Sequence, residues 1–320
     1  MLYESYPPNR TTSKLSRDAG DLVLNALKNK DIIEILLNSD GLLWTDSLSG
    51  GLTPLGSMSP SNAMSFIATV ASTLDMIVSR DNPIIEGELE IDGSRFEGLT
   101  PPVVERPVFS IRKKAPRVFS LDDYVHQGTL SPTHRIAIEN AITQRKNILI
   151  SGGTGSGKTT LTNAILLAIT ENCPDHRIIV IEDTIELQCR ARNSVGLRTS
   201  STVTMQDLLR ATMRLRPDRI IVGEVRGGEA LTLVKAWNTG HPGGIATCHA
   251  NSVRGALRRI EQLIAEASSS CMKEVIAEAI DLIIHIERDE NSSERKITEV
   301  SSLTGFANGD YCLTPVKGDL

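Results

Sequence analysis

Two hydrophobic rhythms divide the chain. In the first third, short apolar runs are broken by polar turns. "DIIEILLNSDGLLWTDSL" reads as a strand, a tight turn at Ser39-Asp40-Gly41, and a second strand, which is a hairpin pattern. "SPSNAMSFIATVASTLDMIV" places apolar residues at helical spacing, with Ser61 as the expected cap. Extended pieces follow in "ELEIDGSRFEGL" and "PVFSIRK", and the charge and proline of "RKKAPRVFSL" mark a linker. Residues 1–20 are polar and rich in Pro, Ser and Thr, so a mobile arm is expected there. Residues 21–118 then make a small N-terminal α+β domain.

From about residue 119 helices alternate with short, wholly apolar runs. "NILISG", "RIIVIED", "RIIVGEV" and "GIATCHA" read as buried strands. "KTTLTNAILLAI", "MQDLLRATMRL", "GEALTLVKAW" and "VRGALRRIEQLIAEA" read as the helices between and after them. That alternation predicts an α/β domain over residues 119–320, with a mostly parallel sheet covered by helices.

Composition narrows the classes. The 320 residues are 40% hydrophobic and 23% charged, the profile of a globular protein. The net charge of −5 and pI near 5.8 show no general basic excess, and 3% aromatic residues leave few stacking platforms for bases. Direct nucleic-acid binding is therefore expected to be weak. No apolar run approaches the roughly 18 residues that span a bilayer, and the N-terminus lacks the apolar core of a signal peptide, which points to the cytoplasm. Cys173, Cys189, Cys248, Cys271 and Cys312 are widely spaced with no CxxC pair, so neither a disulfide framework nor a zinc knuckle is expected.

The chemistry begins at "SGGTGSGKTT". Gly152 to Thr159 match G-x-x-x-x-G-K-[ST] between an apolar strand and a helix, the context that separates a phosphate-binding loop from a chance glycine turn. Gly153, Gly155 and Gly157 allow the backbone N–H groups to converge on anionic oxygens. Thr154, Ser156 and Thr160 complete the expected nucleotide-binding set. The helix N-terminus near Lys158 adds its positive dipole end, Lys158 a charge for the β- and γ-phosphates, and Thr159 a hydroxyl for Mg²⁺.

Hydrolysis at such a loop also needs carboxylates to hold Mg²⁺ and position water. Two apolar strands end in acids, "RIIVIEDTIE" at Glu182, Asp183 and Glu186, and "RIIVGE" at Glu224. An acid directly after a buried strand is costly without a role or partner, which favours Glu182 and Glu224; Asp183 and Glu224 join Thr159 as metal candidates. Glu186 reads as a solvated side chain. Arg216, Arg219 and Arg226 surround the second strand, where arginines at a subunit boundary could answer charge on a transferred phosphate; surface ion pairing is an equal reading for Arg219.

"TGHPGGIATCHAN" adds His241, Cys248 and His249. No neighbouring acid or cysteine pair completes a tetrahedral metal set. Adjacent strand residues point to opposite faces, so Cys248 and His249 cannot act as nucleophile and base. Cys248 is expected to pack inward and His249 to lie at the strand's end near the γ-phosphate. His241 falls in a Gly/Pro turn, where a nucleotide-sensitive histidine and a backbone-bonded turn histidine are both open readings.

Four motifs thus stand in order: the loop at 152–159, "IEDTIE" at 181–186, "IIVGEVRGGEA" at 220–230, and "TGHPGGIATCHAN" at 239–251. Together they resemble the secretion-type traffic ATPases, whose hallmarks are a Walker A loop, an Asp box, a Walker B strand and a His box. The type IV secretion branch matches best. The four-cysteine zinc module usual in type II secretion and pilus-assembly ATPases is absent, and "GHPGG" with "CHANS" resembles the conjugation form. "EILLNSDGLLW" is also similar to the family's N-terminal domain. One departure is glutamate rather than the commoner aspartate after the Walker B run.

The resemblance implies a RecA-like P-loop core that binds ATP and Mg²⁺ and assembles as a hexameric ring. It implies ATP hydrolysis that powers substrate transfer or pilus assembly, beside inner-membrane components of a secretion or conjugation channel and peripheral to that membrane. It implies that N-terminal-domain arginines reach the phosphates, with Arg95 in "GSRFEG" and Arg112 in "FSIRKK" in the matching positions. It also implies that one of Glu182 and Glu224 prepares water while the other serves Mg²⁺. A DNA-stimulated helicase or packaging motor and a type II secretion or pilus ATPase remain the alternatives. A GTPase is disfavoured, since "NKDI" at 29–32 has the wrong spacing for N-K-x-D and precedes the phosphate loop.

Overall fold

The computed structural model describes residues 10–47, 50–114, 117–200, 202–289 and 294–317. The chain divides between Pro116 and Arg117 into two compact units.

The first unit runs α1 (Arg10–Lys28), β1 (Ile32–Leu37), β2 (Leu42–Ser47), β3 (Gly51–Ser57), α2 (Pro60–Thr73), β4 (Ile84–Glu88), β5 (Arg95–Leu99) and β6 (Val108–Arg112). Its strands form one antiparallel sheet in the order β3-β2-β1-β6-β5-β4. The expected hairpin is β1–β2, closed by Gly41 at φ 85° and by Asp40 Oδ1, which accepts the Leu42 N–H at 2.8 Å. Phe66 of α2 packs edge-on to Phe96 and Phe109, with centroids 5.6 and 5.3 Å away.

Two expectations are corrected here. Residues 10–19 are helical, not an arm, and Gly20, at φ 74° and ψ 163°, kinks α1 before it runs on to Lys28; residues 1–9 lie outside the described residues. Leu15, Ala19, Val23 and Ala26 recur at helical spacing and are buried, and Asp18 accepts the Thr69 hydroxyl of α2 at 2.7 Å. Periodicity therefore outweighs a polar, Ser/Thr-rich composition. The cap of α2 is Ser59 rather than Ser61: its Oγ accepts the Asn62 N–H at 3.2 Å, while Ser61 lies within the first turn.

The second unit runs α3 (Leu121–His126), α4 (Pro132–Thr143), β7 (Ile148–Gly152), α5 (Lys158–Asn172), β8 (Ile178–Glu182), β9 (Ser194–Arg198), α6 (Met205–Thr212) and β10 (Arg219–Val222). It continues with α7 (Glu229–Asn238), β11 (Ile245–His249), α8 (Val253–Ala265), α9 (Lys273–Ala279), β12 (Leu282–Arg288), β13 (Arg295–Ala307) and β14 (Asp310–Pro315). The sheet order is β14-β13-β12-β7-β11-β10-β8-β9. Strands from β12 to β9 are parallel, and β13 and β14 add an antiparallel edge.

Both faces of this sheet are covered, which is why β7, β8 and β10 read as unbroken apolar runs. Leu149, Ile179, Ile181, Val222, Ala246 and Cys248 point into one core with α7, α8 and α9. Ile148, Ile150, Ile178, Val180, Ile221 and Ile245 point into the other, with α4 and α5. The parallel strands all end at the same edge, so Gly152, Glu182, Glu224 and His249 are delivered together.

Candidate nucleotide site

The loop after β7 is shaped by glycines for two different reasons. Gly155 and Gly157 have φ of 70° and 98°, the left-handed region that L side chains resist, and Gly157 caps α5. Gly152 is held instead by crowding, because a Cβ there would collide with the Ile286 carbonyl and Ser156 Oγ. Gly153 faces open space. Thr154 is exposed, while Thr159 and Thr160 occupy the first turn of α5. Ser156 Oγ is buried with no hydrogen-bond partner among the described residues, an orphan polar atom at the mouth of a helix N-terminus. That donor set fits a polyphosphate.

Lys158 is 8% exposed. Its Nζ donates to the Gly152 and Gly153 carbonyls at 3.0 and 2.8 Å and lies 3.4 Å from His249 Nδ1. His249 Nε2 is 2.9 Å from Glu224 Oε1, close but without hydrogen-bond alignment. The other Glu224 oxygen accepts from Arg226 at 2.7 Å, and Arg226 reaches Asp183 at 3.5 Å. Lysine, histidine, glutamate, arginine and aspartate thus form one chain across β7, β11, β10 and β8. Burial first, and then the Lys158 charge, push the His249 pKa below its ordinary value, against the pull of Glu224. His249 is therefore neutral at pH 7. Beside it opens a cavity of about 340 Å³ lined by Gly153, His249, Asn251, Ser252, Arg258 and Arg259.

The chain belongs to the type II/IV secretion system protein family. The family's model matches residues 87–312. The conjugal transfer protein TrbB of Rhizobium radiobacter is 52% identical over 302 residues, covering 94% of this chain and 93% of that protein. The type IV secretion system protein VirB11 of Bartonella quintana is 30% identical over 347 residues, covering 91% and 96%. Among solved structures, the ATPase DotB of Legionella pneumophila superposes with a TM-score of 0.66 at 20% identity, covering 95% of this chain and 84% of that one, a likeness of fold alone.

Several sequence expectations are redistributed in this family member. Glu186 is not merely solvated: its Oε2 accepts the Thr159 hydroxyl at 3.2 Å, which sets its carboxylate beside the first turn of α5. Asp183 is instead tied to Thr199 at 3.0 Å and to Arg226. Glu182 Oε1 accepts the backbone N–H groups of Glu186 and Leu187 at 3.0 and 2.9 Å, so it anchors the turn that presents Asp183 and Glu186. Cys248 is fully buried and its thiol is pushed up to about 12 by burial, which fits the inward packing expected for it.

Three arginines have different fates. Arg226 joins the acids, as described. Arg219 does not form surface ion pairs: it is 1% exposed and donates to the carbonyls of Ile142 and Gly243 at 2.7 and 3.0 Å and to His176 Nδ1 at 3.0 Å. Arg216, at φ 54°, lies in the turn before β10, at the opposite end of that strand from Glu224. His241 likewise precedes β11, whose far end carries His249, and the strand alone spans about 13 Å. Neither joins the phosphate-loop cluster of its own chain. In the first unit, Arg95 and Arg112 are direct register partners on β5 and β6, in a row flanked by Glu88 and Glu34.

Proposed function

We propose that this chain is a Mg²⁺-dependent ATPase with a RecA-like core, working as a hexameric motor of a conjugative or type IV secretion apparatus. The observation that carries the reading is the Lys158–His249–Glu224 series, which sets a cation, a neutral imidazole and a carboxylate beside a phosphate-shaped loop. Family membership and the identity to TrbB support the conjugative branch. No helix among the described residues is long and apolar enough to cross a membrane, so the proposed docking to an inner-membrane channel is peripheral.

In this reading Lys158 leaves the two loop carbonyls to neutralise the β- and γ-phosphates. Glu224 positions and deprotonates the attacking water, and neutral His249 reports the γ-phosphate to it. Glu182 has its Oε1 on two backbone amides, so its part is to hold the Asp183–Glu186 turn in place. Thr159 and Glu186, with Asp183 nearby in sequence, are the groups that would hold Mg²⁺. Bound there, the ion would neutralise charge developing on the phosphates. Arg95 and Arg112, paired on neighbouring strands, are the proposed phosphate-reaching arginines, and Arg216 is the proposed subunit-boundary arginine.

Phosphate release from MgATP by the purified full-length protein, together with its mass in solution, tests the proposal. Turnover should vanish in Lys158→Ala, and the wild-type mass should be a sixfold multiple of the 34.8 kDa chain. A strictly monomeric protein with full turnover sinks the ring reading, and turnover unaffected by Lys158→Ala sinks the site. Stimulation many-fold by DNA would favour the helicase class instead.

A further inference from the structure

The sheet order fixes how a nucleotide lies across the loop. β7 sits between β11 and β12. His249, Glu224 and the cavity beside Gly153 all lie on the β11 side, with Lys158 Nζ drawn toward His249. The terminal phosphate belongs there, so the nucleoside at the other end of the polyphosphate leaves toward β12.

On that side two arginines lie beside the loop. Arg288 ends β12, Arg295 begins β13, and the two are register partners across the ladder. Arg295 Nε donates to the Gly155 carbonyl at 3.4 Å, and its Cδ lies 2.8 Å from where a Cβ on Gly157 would sit. Arg288 Nη1 lies 3.9 Å from where a Cβ on Gly155 would sit. Arg295 therefore packs on Gly157 and bonds the loop at Gly155, the Arg288 guanidinium lies near Gly155, and no motif of the sequence includes either arginine.

We propose that Arg288 and Arg295, at the facing ends of β12 and β13, form the nucleoside wall of the site, with Arg288 stacking its planar guanidinium on the purine base and Arg295 positioning the loop tip. Both rest on the ATP reading above. A guanidinium is planar, weakly hydrated and stacks on aromatic faces, so an exposed arginine at this place suits a base better than a further phosphate would. Arg295 draws the Gly155 carbonyl outward. Because C=O and the next N–H point in opposite directions across a trans peptide, this turns the Ser156 N–H away from Arg295, where it donates to the Gly153 carbonyl at 3.4 Å and closes the loop tip.

The test compares MgATP with tripolyphosphate, which carries the phosphates and no nucleoside. Calorimetric titration of full-length Arg288→Ala should show ATP binding weakened about tenfold, the size of a stacked cation–π contact. Tripolyphosphate affinity should match wild type, which also reports an intact loop. KM for ATP should rise with kcat preserved. Arg295→Ala should weaken both ligands. ATP affinity unchanged in Arg288→Ala, or both ligands weakened equally by it, overturns the assignment while leaving the ATP reading intact. A wild-type protein that binds tripolyphosphate no more weakly than ATP overturns it as well, and one that binds neither refutes the ATP reading itself.

Discussion

Replacing Arg219 with leucine tests whether a buried cation holds the second unit together. The side chain is 1% exposed, and burial lowers its pKa, so the fold carries a desolvation cost for it. Against that, it donates to Ile142 O at the end of α4, to Gly243 O in the turn before β11, and to His176 before β8. Leucine leaves the Gly243 carbonyl without its donor, at about 1–3 kcal/mol, and takes the charge-assisted bond, about 1.5–3 kcal/mol, from Ile142 O, which keeps the Arg145 N–H at 3.1 Å; together this is about 3–6 kcal/mol. Relief of the guanidinium's desolvation returns part of this, giving a net loss of about 2–4 kcal/mol. For a unit of this size that corresponds to a Tm lower by about 5–15 °C. The two tryptophans allow a clean measurement: in a Trp44→Phe background, Trp237 in the core of the second unit reports its urea unfolding alone. A stability loss below about 1 kcal/mol at unchanged m would refute the argument, and would place Arg219 among buried charges that apolar residues replace without cost.

Three further outcomes follow. With its pKa lowered by burial and Lys158, His249 takes up its proton at lower pH than an ordinary imidazole. Turnover at saturating MgATP should therefore show an acid limb centred below 6.5, and His249→Gln should cut turnover about tenfold or more while sparing nucleotide affinity; an acid limb centred at or above 6.5 contradicts this. Exposed Cys271 should react with maleimide near neutral pH while Cys248, buried and pushed to about 12, is recovered unmodified by peptide mapping. Comparable labelling of the two would show that the β11 end opens in solution.

The parts legible from sequence were those where one physical signal dominates. The runs "NILI", "RIIVI", "RIIV" and "IATC" are apolar on both faces because helices cover both, so they announced a parallel sheet. β9 did not, since "SVGLR" is a short edge strand with alternate residues exposed. β12 ends in "HIER", whose charge hides a strand whose first five residues are buried. At the site, strand ends announced Glu182, Glu224 and His249. The partner of Thr159 was not legible, because a turn anchored by Glu182 decides whether Asp183 or Glu186 faces the loop. Arg219 was misread for a related reason: a charged residue opening a strand looks like surface until the carbonyls that enclose it are located.

The position of β12 has a consequence for dissecting the gene. The last of the four motifs ends at Asn251, and a fragment cut there would retain every signature residue. It would also lose Leu282 to His285, the neighbours of Ile148 to Ser151 on one side of β7. The strand bearing the phosphate loop would become a raw edge, with bare amides and with Leu149 stripped of the α8 and α9 cover, prone to pairing with other copies. The shortest piece able to stand alone is thus set by hydrogen-bonding neighbours rather than by signatures, and it must reach past Arg288.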